Sequence, residues 1–178
     1  MKALRMVVLD VDGVLTDGVI RVGADGEEIK SFHAHDGAGI KYLIRAGIPV
    51  AILSGRRAKA VARRARELGI KPVLQGYKFK IDGLKKLTQA TGIAANAMCY
   101  VGDDLPDIPV MRAVGLGVGV SDARPEVLRA ADYVTLACGG RGAVRELAEK
   151  ILKAQKKWGR IVARYGLKGA GSAAGGAL

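Results

Sequence analysis

DVDGVLTDG, residues 10–18, follows directly on the apolar run MVVL at residues 6–9. Two carboxylates, Asp10 and Asp12, therefore fall where a buried strand would end and a tight turn begin. Without a partner, a carboxylate in such a place costs several kcal/mol or gives up its charge. Both acids are thus expected to meet a cation or hydrogen-bond donors at the strand tip. A plain Asp-Gly turn is the simpler explanation, but the rest of the chain brings matching pieces to the ends of later strands.

Working outward from that stretch, PVAIL (49–53) reads as a strand running straight into Ser54, Gly55 and Arg56, and AKAVARRARELG (58–69) as a basic amphipathic helix closed by Gly69. KPVLQG (71–76) is a further short strand, and a helix is predicted from Lys80 to Thr91, ended by Gly92. MCYVG (98–102) is a buried strand that delivers a second acidic cluster, GDDLPD (102–107), with Pro106 suited to the first turn of a helix. GLGVGV, ARPEVLRAA and DYVTL then read as strand, helix and strand. Strands alternating with helices predict an α/β fold with a doubly wound, mainly parallel, Rossmann-like sheet.

Between the first strand and the first helix, VIRV (19–22) and EEIKSF (27–32) flank GADG and predict a projecting β-hairpin. Such a hairpin would shade the acidic site, pair with another subunit, or be an ordinary surface ribbon. Asp36 is placed as the N-cap of a helix through Ile40, Leu43 and Ile44 that ends at Gly47. The stretch 142–166 is predicted to be helical, with Val144, Leu147, Ile151 and Leu152 on one face. One domain over residues 1–165 is expected, followed by a Gly/Ala-rich, disordered tail over 166–178.

The bulk properties narrow the partners. A chain of 178 residues, 49% hydrophobic, is long enough for a real core. Its 29 Lys and Arg against 17 Asp and Glu leave a net charge of +12, which favours anionic partners. Aromatic residues are only 4% of the chain, leaving few platforms for stacking bases, so small phosphorylated acids rank ahead of nucleic acid. Cys99 and Cys138 have neither disulfide nor metal-type spacing and predict reduced thiols in the cytoplasm. No stretch has the pattern of a membrane span or a cleaved signal, so no membrane association is expected.

In an open parallel sheet, ligands bind outside the carboxyl ends of the strands. Asp10 and Asp12, Ser54 and Gly55, the approach to Lys80, and Asp103 and Asp104 all belong to such ends. Hard oxygen ligands at two tips suit Mg²⁺, which is commonly held by one or two carboxylates together with a substrate phosphate. Asp10 is then suited to attack phosphorus and Asp12 to protonate the leaving oxygen and later activate water. Ser54, an adjacent backbone N–H and Lys80 would stabilise the transferring group.

These residues resemble the haloacid dehalogenase superfamily of aspartyl-phosphate phosphotransferases, whose four motifs appear in order as DVD, Ser54 in ILSGR, Lys80 after LQG, and GDDLPD. Over about nine-tenths of the chain the resemblance extends to the 3-deoxy-D-manno-octulosonate 8-phosphate phosphatase family. HDGAGIKYL, RARELGI, YVGDDLPDIPVM and GGRGAVRE carry that closer match. It implies that Asp10 is both nucleophile and Mg²⁺ ligand, that Asp12 binds Mg²⁺ through its backbone carbonyl, and that Asp103 completes the set with Asp104 behind it. It places substrate contacts at Asp12, His33, Ala34, His35, Asp36, Gly37, Lys41, Arg56, Arg64 and Lys80.

The spacing between motifs leaves no room for a folded cap domain. The resemblance accordingly implies a homotetramer in which hairpins associate and one subunit covers its neighbour's site. Arg141 either reaches a site across that interface or is a structural loop residue. The expected activity is Mg²⁺-dependent hydrolysis of a sugar-acid phosphate, with a nonulosonic (sialic-type) acid 9-phosphate as the alternative substrate. A non-catalytic assembly module and a nucleic-acid binder are the readings from other classes.

Overall fold

The structure, a computed structural model, describes residues 1–167; from residue 168 onward the expected tail lies outside the described residues. Six strands form one sheet: β1 (Met6–Leu9), β4 (Val50–Ser54), β5 (Val73–Gln75), β6 (Met98–Gly102), β7 (Leu116–Gly119) and β8 (Tyr133–Val134). Their order is β5-β4-β1-β6-β7-β8, and every pairing is parallel. The chain winds outward from β1 through β4 to β5, then returns to the other side of β1 at β6. The switch in direction lies at the tip of β1, where such sheets open a ligand crevice.

β1, β4 and β6 are buried along their whole length, as continuous apolar runs covered on both faces should be. On one side, α1 (Ala34–Arg45) packs against α2 (Lys59–Leu68) and α6 (Ala143–Ala154). A second group joins α3 (Lys80–Thr91), α4 (Ile108–Ala113) and α5 (Pro125–Ala130). Gly39 allows α1 and α6 to approach closely, since a Cβ there would stand 3.0 Å from the Arg145 Cα. Gly69 and Gly92 close their helices in the left-handed region, as predicted.

Three local expectations are corrected. The hairpin forms, but its ladder is only β2 (Arg21–Val22) with β3 (Glu28–Ile29), and Val19, Ile20, Val22 and Ile29 remain exposed. The 142–166 stretch is not one helix: it breaks at Lys156, which has a positive φ of 57°, and resumes as α7 (Trp158–Ala163). Asp36 does not cap its own helix, because α1 begins at Ala34 with His33 as the N-cap. From the first turn of α1 the buried Asp36 carboxylate instead accepts hydrogen bonds from the N–H groups of Gly142 (3.1 Å) and Arg145 (2.8 Å). Those N–H groups open α6 and have no partner within their own helix, so they need an acceptor from elsewhere in the fold.

Candidate active site

Asp10 stands immediately beyond β1, its N–H donating to the Val101 carbonyl at 3.0 Å, so the neighbouring strand fixes its backbone. Lys80, the first residue of α3, places Nζ 2.9 Å from Asp10 Oδ2 and 2.5 Å from Asp107 Oδ1. Asp107 is wholly buried and holds this corner together. Its Oδ1 also accepts from the Tyr100 hydroxyl (2.6 Å), and its Oδ2 accepts from the N–H groups of Asp103 (3.0 Å) and Asp104 (3.1 Å). The turn after β6 is thereby folded back so that Asp103 faces Asp10. Gly13, at φ 81°, makes room for that approach, since a Cβ there would sit 2.0 Å from Asp103 Oδ2.

Oxygens of Asp10, Asp103 and Asp107 lie within 4.8 Å of one another. Burial and the nearby Asp107 carboxylate raise Asp10 to about 7, against the opposing pull of Lys80. Burial, Asp10 and Asp107 raise Asp103 to about 8. Burial works against the charge of Lys80, but Asp10 and Asp107 outweigh it and hold the ammonium more firmly protonated than usual. One lysine does not compensate three converging carboxylates, and the residual demand fits a hard divalent cation. Each Asp107 oxygen already has two donors, which fills its capacity, so Asp10 and Asp103 are the carboxylates free to ligate.

Asp12 sits at the same tip with its carboxylate turned toward Lys30 and Arg56. That leaves the backbone-carbonyl role expected for it as a metal ligand compatible with the side-chain geometry. Ser54 ends β4 buried, its Oγ accepting the Arg56 N–H at 3.4 Å. Asp10, Asp12, Ser54, Gly55, Arg56 and Lys80 share one cavity of about 380 Å³, which Asp103 and Asp104 also line. Asp104 is exposed and accepts the Leu105 N–H, capping the short turn that follows.

The other proposed substrate contacts are not brought to that cavity. His33, Asp36, Gly37 and Arg64 line a separate narrow crevice beside Phe32. The ring of exposed His35 packs edge-on against His33 with centroids 5.2 Å apart. Ala34 borders a groove with Arg64, whose guanidinium pairs with Glu67 at 2.7 Å, and Lys41 lies half-buried on α1.

Asp107, Tyr100, Glu28 and Lys30 were not singled out from the sequence. Asp107 could have been suspected as the last acid of GDDLPD, and Glu28 with Lys30 from their two-residue spacing, which puts both on one face of a strand.

Residues 75–144 match the family model described as haloacid dehalogenase-like hydrolase. Over 154 residues the chain is 49% identical to the 3-deoxy-D-manno-octulosonate 8-phosphate phosphatase of Escherichia coli K12, covering 86% of this chain and 82% of that relative. The chain belongs to that phosphatase family. It shares the family's phosphomonoesterase chemistry and its α/β fold. The crystal structure of a probable YrbI family phosphatase from Pseudomonas syringae superposes with a TM-score of 0.91 at 46% identity, covering 93% of this chain and 94% of the other. The Moraxella catarrhalis 3-deoxy-D-manno-octulosonate 8-phosphate phosphatase, crystallised with a magnesium ion, a phosphate ion and a KDO molecule, gives 0.90 at 41% identity. That match covers 92% and 94% of the two chains. Among the described residues no helix is long and apolar enough to cross a membrane.

Proposed function

We propose that this member of the family hydrolyses 3-deoxy-D-manno-octulosonate 8-phosphate to the free sugar acid and phosphate, using Mg²⁺ and a phosphorylated Asp10. The observation that carries the reading is the buried Asp10, gripped by Lys80 at 2.9 Å and set beside Asp103 in the lining of the same cavity. Asp10, Asp103 and the Asp12 carbonyl would hold Mg²⁺, which supplies neutralisation of the phosphate oxygens.

Asp10 attacks phosphorus, and the bond to the sugar oxygen breaks. Asp12 gives that oxygen its proton, then takes one from the water that releases phosphate from Asp10. Lys80 and the Ser54 hydroxyl bear on the charge of the transferring group, and Arg56 at the rim suits the substrate carboxylate.

A homotetramer is the assembly we assign. Two observations support association: four apolar hairpin side chains are exposed, and His33, Asp36, Gly37 and Arg64 line a crevice other than the catalytic cavity. In that arrangement part of the His33 loop and Arg64 serves a neighbouring copy's site. The assigned compartment is the cytoplasm, which suits the two free cysteines, Cys99 and Cys138.

Phosphate release by the purified chain from 3-deoxy-D-manno-octulosonate 8-phosphate and from a nonulosonic acid 9-phosphate, with and without Mg²⁺, tests the reading. A higher kcat/KM for the first substrate, lost on chelation, supports it. A preference for the second overturns the substrate, and Mg²⁺-independent turnover overturns the metal.

A further inference from the structure

We infer that Lys78 is a specificity-determining residue of this phosphatase, binding the carboxylate that a sugar-acid phosphate carries and a neutral sugar phosphate lacks. The inference rests on the sugar-acid substrate proposed above. In that substrate the carboxylate and the phosphate ester stand at opposite ends of the carbon chain. A cavity that grips the phosphate through buried groups therefore needs a second cation nearer its mouth.

Three cationic side chains line the catalytic cavity: Lys80, Arg56 and Lys78. Lys80 is buried, 2.9 Å from Asp10 and 2.5 Å from Asp107, so its charge serves the phosphate end. Arg56 is on the rim, but its Nη2 donates to Glu28 at 2.9 Å and its Nε stands 3.7 Å from the Asp12 carboxylate. An anion that approaches Arg56 also approaches those two carboxylates, and their repulsion offsets part of the attraction. Lys78 is exposed, with its ammonium 6.0 Å from the centre of the neighbouring Phe79 ring. Among the described residues it is the one cation of the cavity lining that has no carboxylate partner.

The backbone fixes where that lysine starts. Gly76 has a positive φ of 79°, and its N–H donates to the Arg56 carbonyl at 3.1 Å. The Tyr77 N–H donates to the Ser54 carbonyl, also at 3.1 Å. The turn leading to Lys78 is thereby laced to the turn that carries Ser54 and Arg56. On its other side the Tyr77 ring lies against Gly83 of α3, where a Cβ would stand 3.1 Å from it. Two lysines on either side of Phe79 then divide the substrate between them, the buried Lys80 at the phosphate and the exposed Lys78 at the carboxylate. A contact of that kind is made equally in the ground and transition states, so its loss shows in KM rather than in kcat.

The test compares 3-deoxy-D-manno-octulosonate 8-phosphate with two esters that lack a carboxylate, ribose 5-phosphate and p-nitrophenyl phosphate, all with saturating Mg²⁺. In Lys78→Met, KM for the sugar-acid phosphate is expected to rise about tenfold, the loss of one charge-assisted hydrogen bond, with kcat within about threefold of the parent. The ratio of its kcat/KM to that of either other ester should fall by about the same factor. Lys78→Arg should restore most of the ratio, and Lys78→Glu should take it below that of Lys78→Met by repelling the carboxylate. Because Lys78 is exposed, raising salt to about 1 M should narrow the gap between parent and Lys78→Met.

An unchanged ratio in both Lys78→Met and Lys78→Glu, or an equal fall on all three esters, would overturn the role of Lys78. Failure of the proposed function is read from the parent protein instead. A parent that prefers a nonulosonic acid 9-phosphate loses the proposed substrate but keeps this comparison, since that ester also carries a carboxylate and takes its place in the ratio. A parent that hydrolyses neither sugar-acid phosphate overturns both claims.

Discussion

Lys80 Nζ lies 2.9 Å from Asp10 Oδ2 inside a corner where the lysine and the aspartate are both more than nine-tenths shielded from solvent. The same nitrogen binds Asp107, which also orders the turn carrying Asp103. One side chain thus joins the proposed nucleophile to the element that completes the site.

Replacing Lys80 with Met leaves the Asp10 and Asp107 carboxylates buried side by side without their shared cation. Breaking a buried pair of this kind costs about 3–5 kcal/mol. Urea denaturation should show a midpoint lowered accordingly, and phosphate release should fall by about 10²- to 10³-fold through the lost charge stabilisation.

Metal-free protein should lose stability as pH rises from about 4 to about 8. Asp10 and Asp103 have folded pKa values of about 7 and about 8, against 3.8 for an unperturbed aspartate. The native state therefore binds more protons than the unfolded chain across that window. Their contribution is fully present below the unfolded value and is lost as pH passes through the folded ones. Mg²⁺ takes the place of those protons, so the gain in melting temperature on adding Mg²⁺ should be larger at pH 8 than at pH 5. Equal gains at both would contradict the assignment.

Asp36→Ala removes the acceptor from two N–H groups at the start of α6. A lost cap combined with a buried unsatisfied donor costs about 1–3 kcal/mol. Thermal melts should register that loss. Both Asp36 oxygens are committed to those N–H groups, which leaves the carboxylate a part of the scaffold rather than a substrate contact, so kcat of the folded variant should stay within about threefold of the parent.

The contrast between Asp36 and Asp10 shows what a sequence discloses. Asp10 announces itself because its surroundings are local: an apolar strand precedes it and a Gly-rich turn follows. Ser54, Lys80 and Asp103 are legible for the same reason, each sitting at the end or beginning of a well-marked element, and the parallel α/β class follows from the alternation of those elements. Asp36 obeys the local pattern of an N-cap, yet its partners are 106 and 109 residues away, where no periodicity can reach.

Asp107 and Lys30 escape notice likewise. Their meaning lies in distances to Lys80 and Asp12 set by packing, from positions 27 and 18 residues away along the chain. The break at Lys156 carries neither Gly nor Pro to mark it.

Rapid acid quench during turnover, followed by borohydride reduction and mass analysis of the peptide spanning residues 6–21, tests the central claim most directly. A phosphorylated Asp10 is an acyl phosphate, and hydride converts that carbonyl to an alcohol with loss of phosphate. Reduction at Asp10, present only when substrate is turning over and absent at Asp12, is the predicted result. Sustained phosphate release with Asp10 unmodified at every quench time would contradict it.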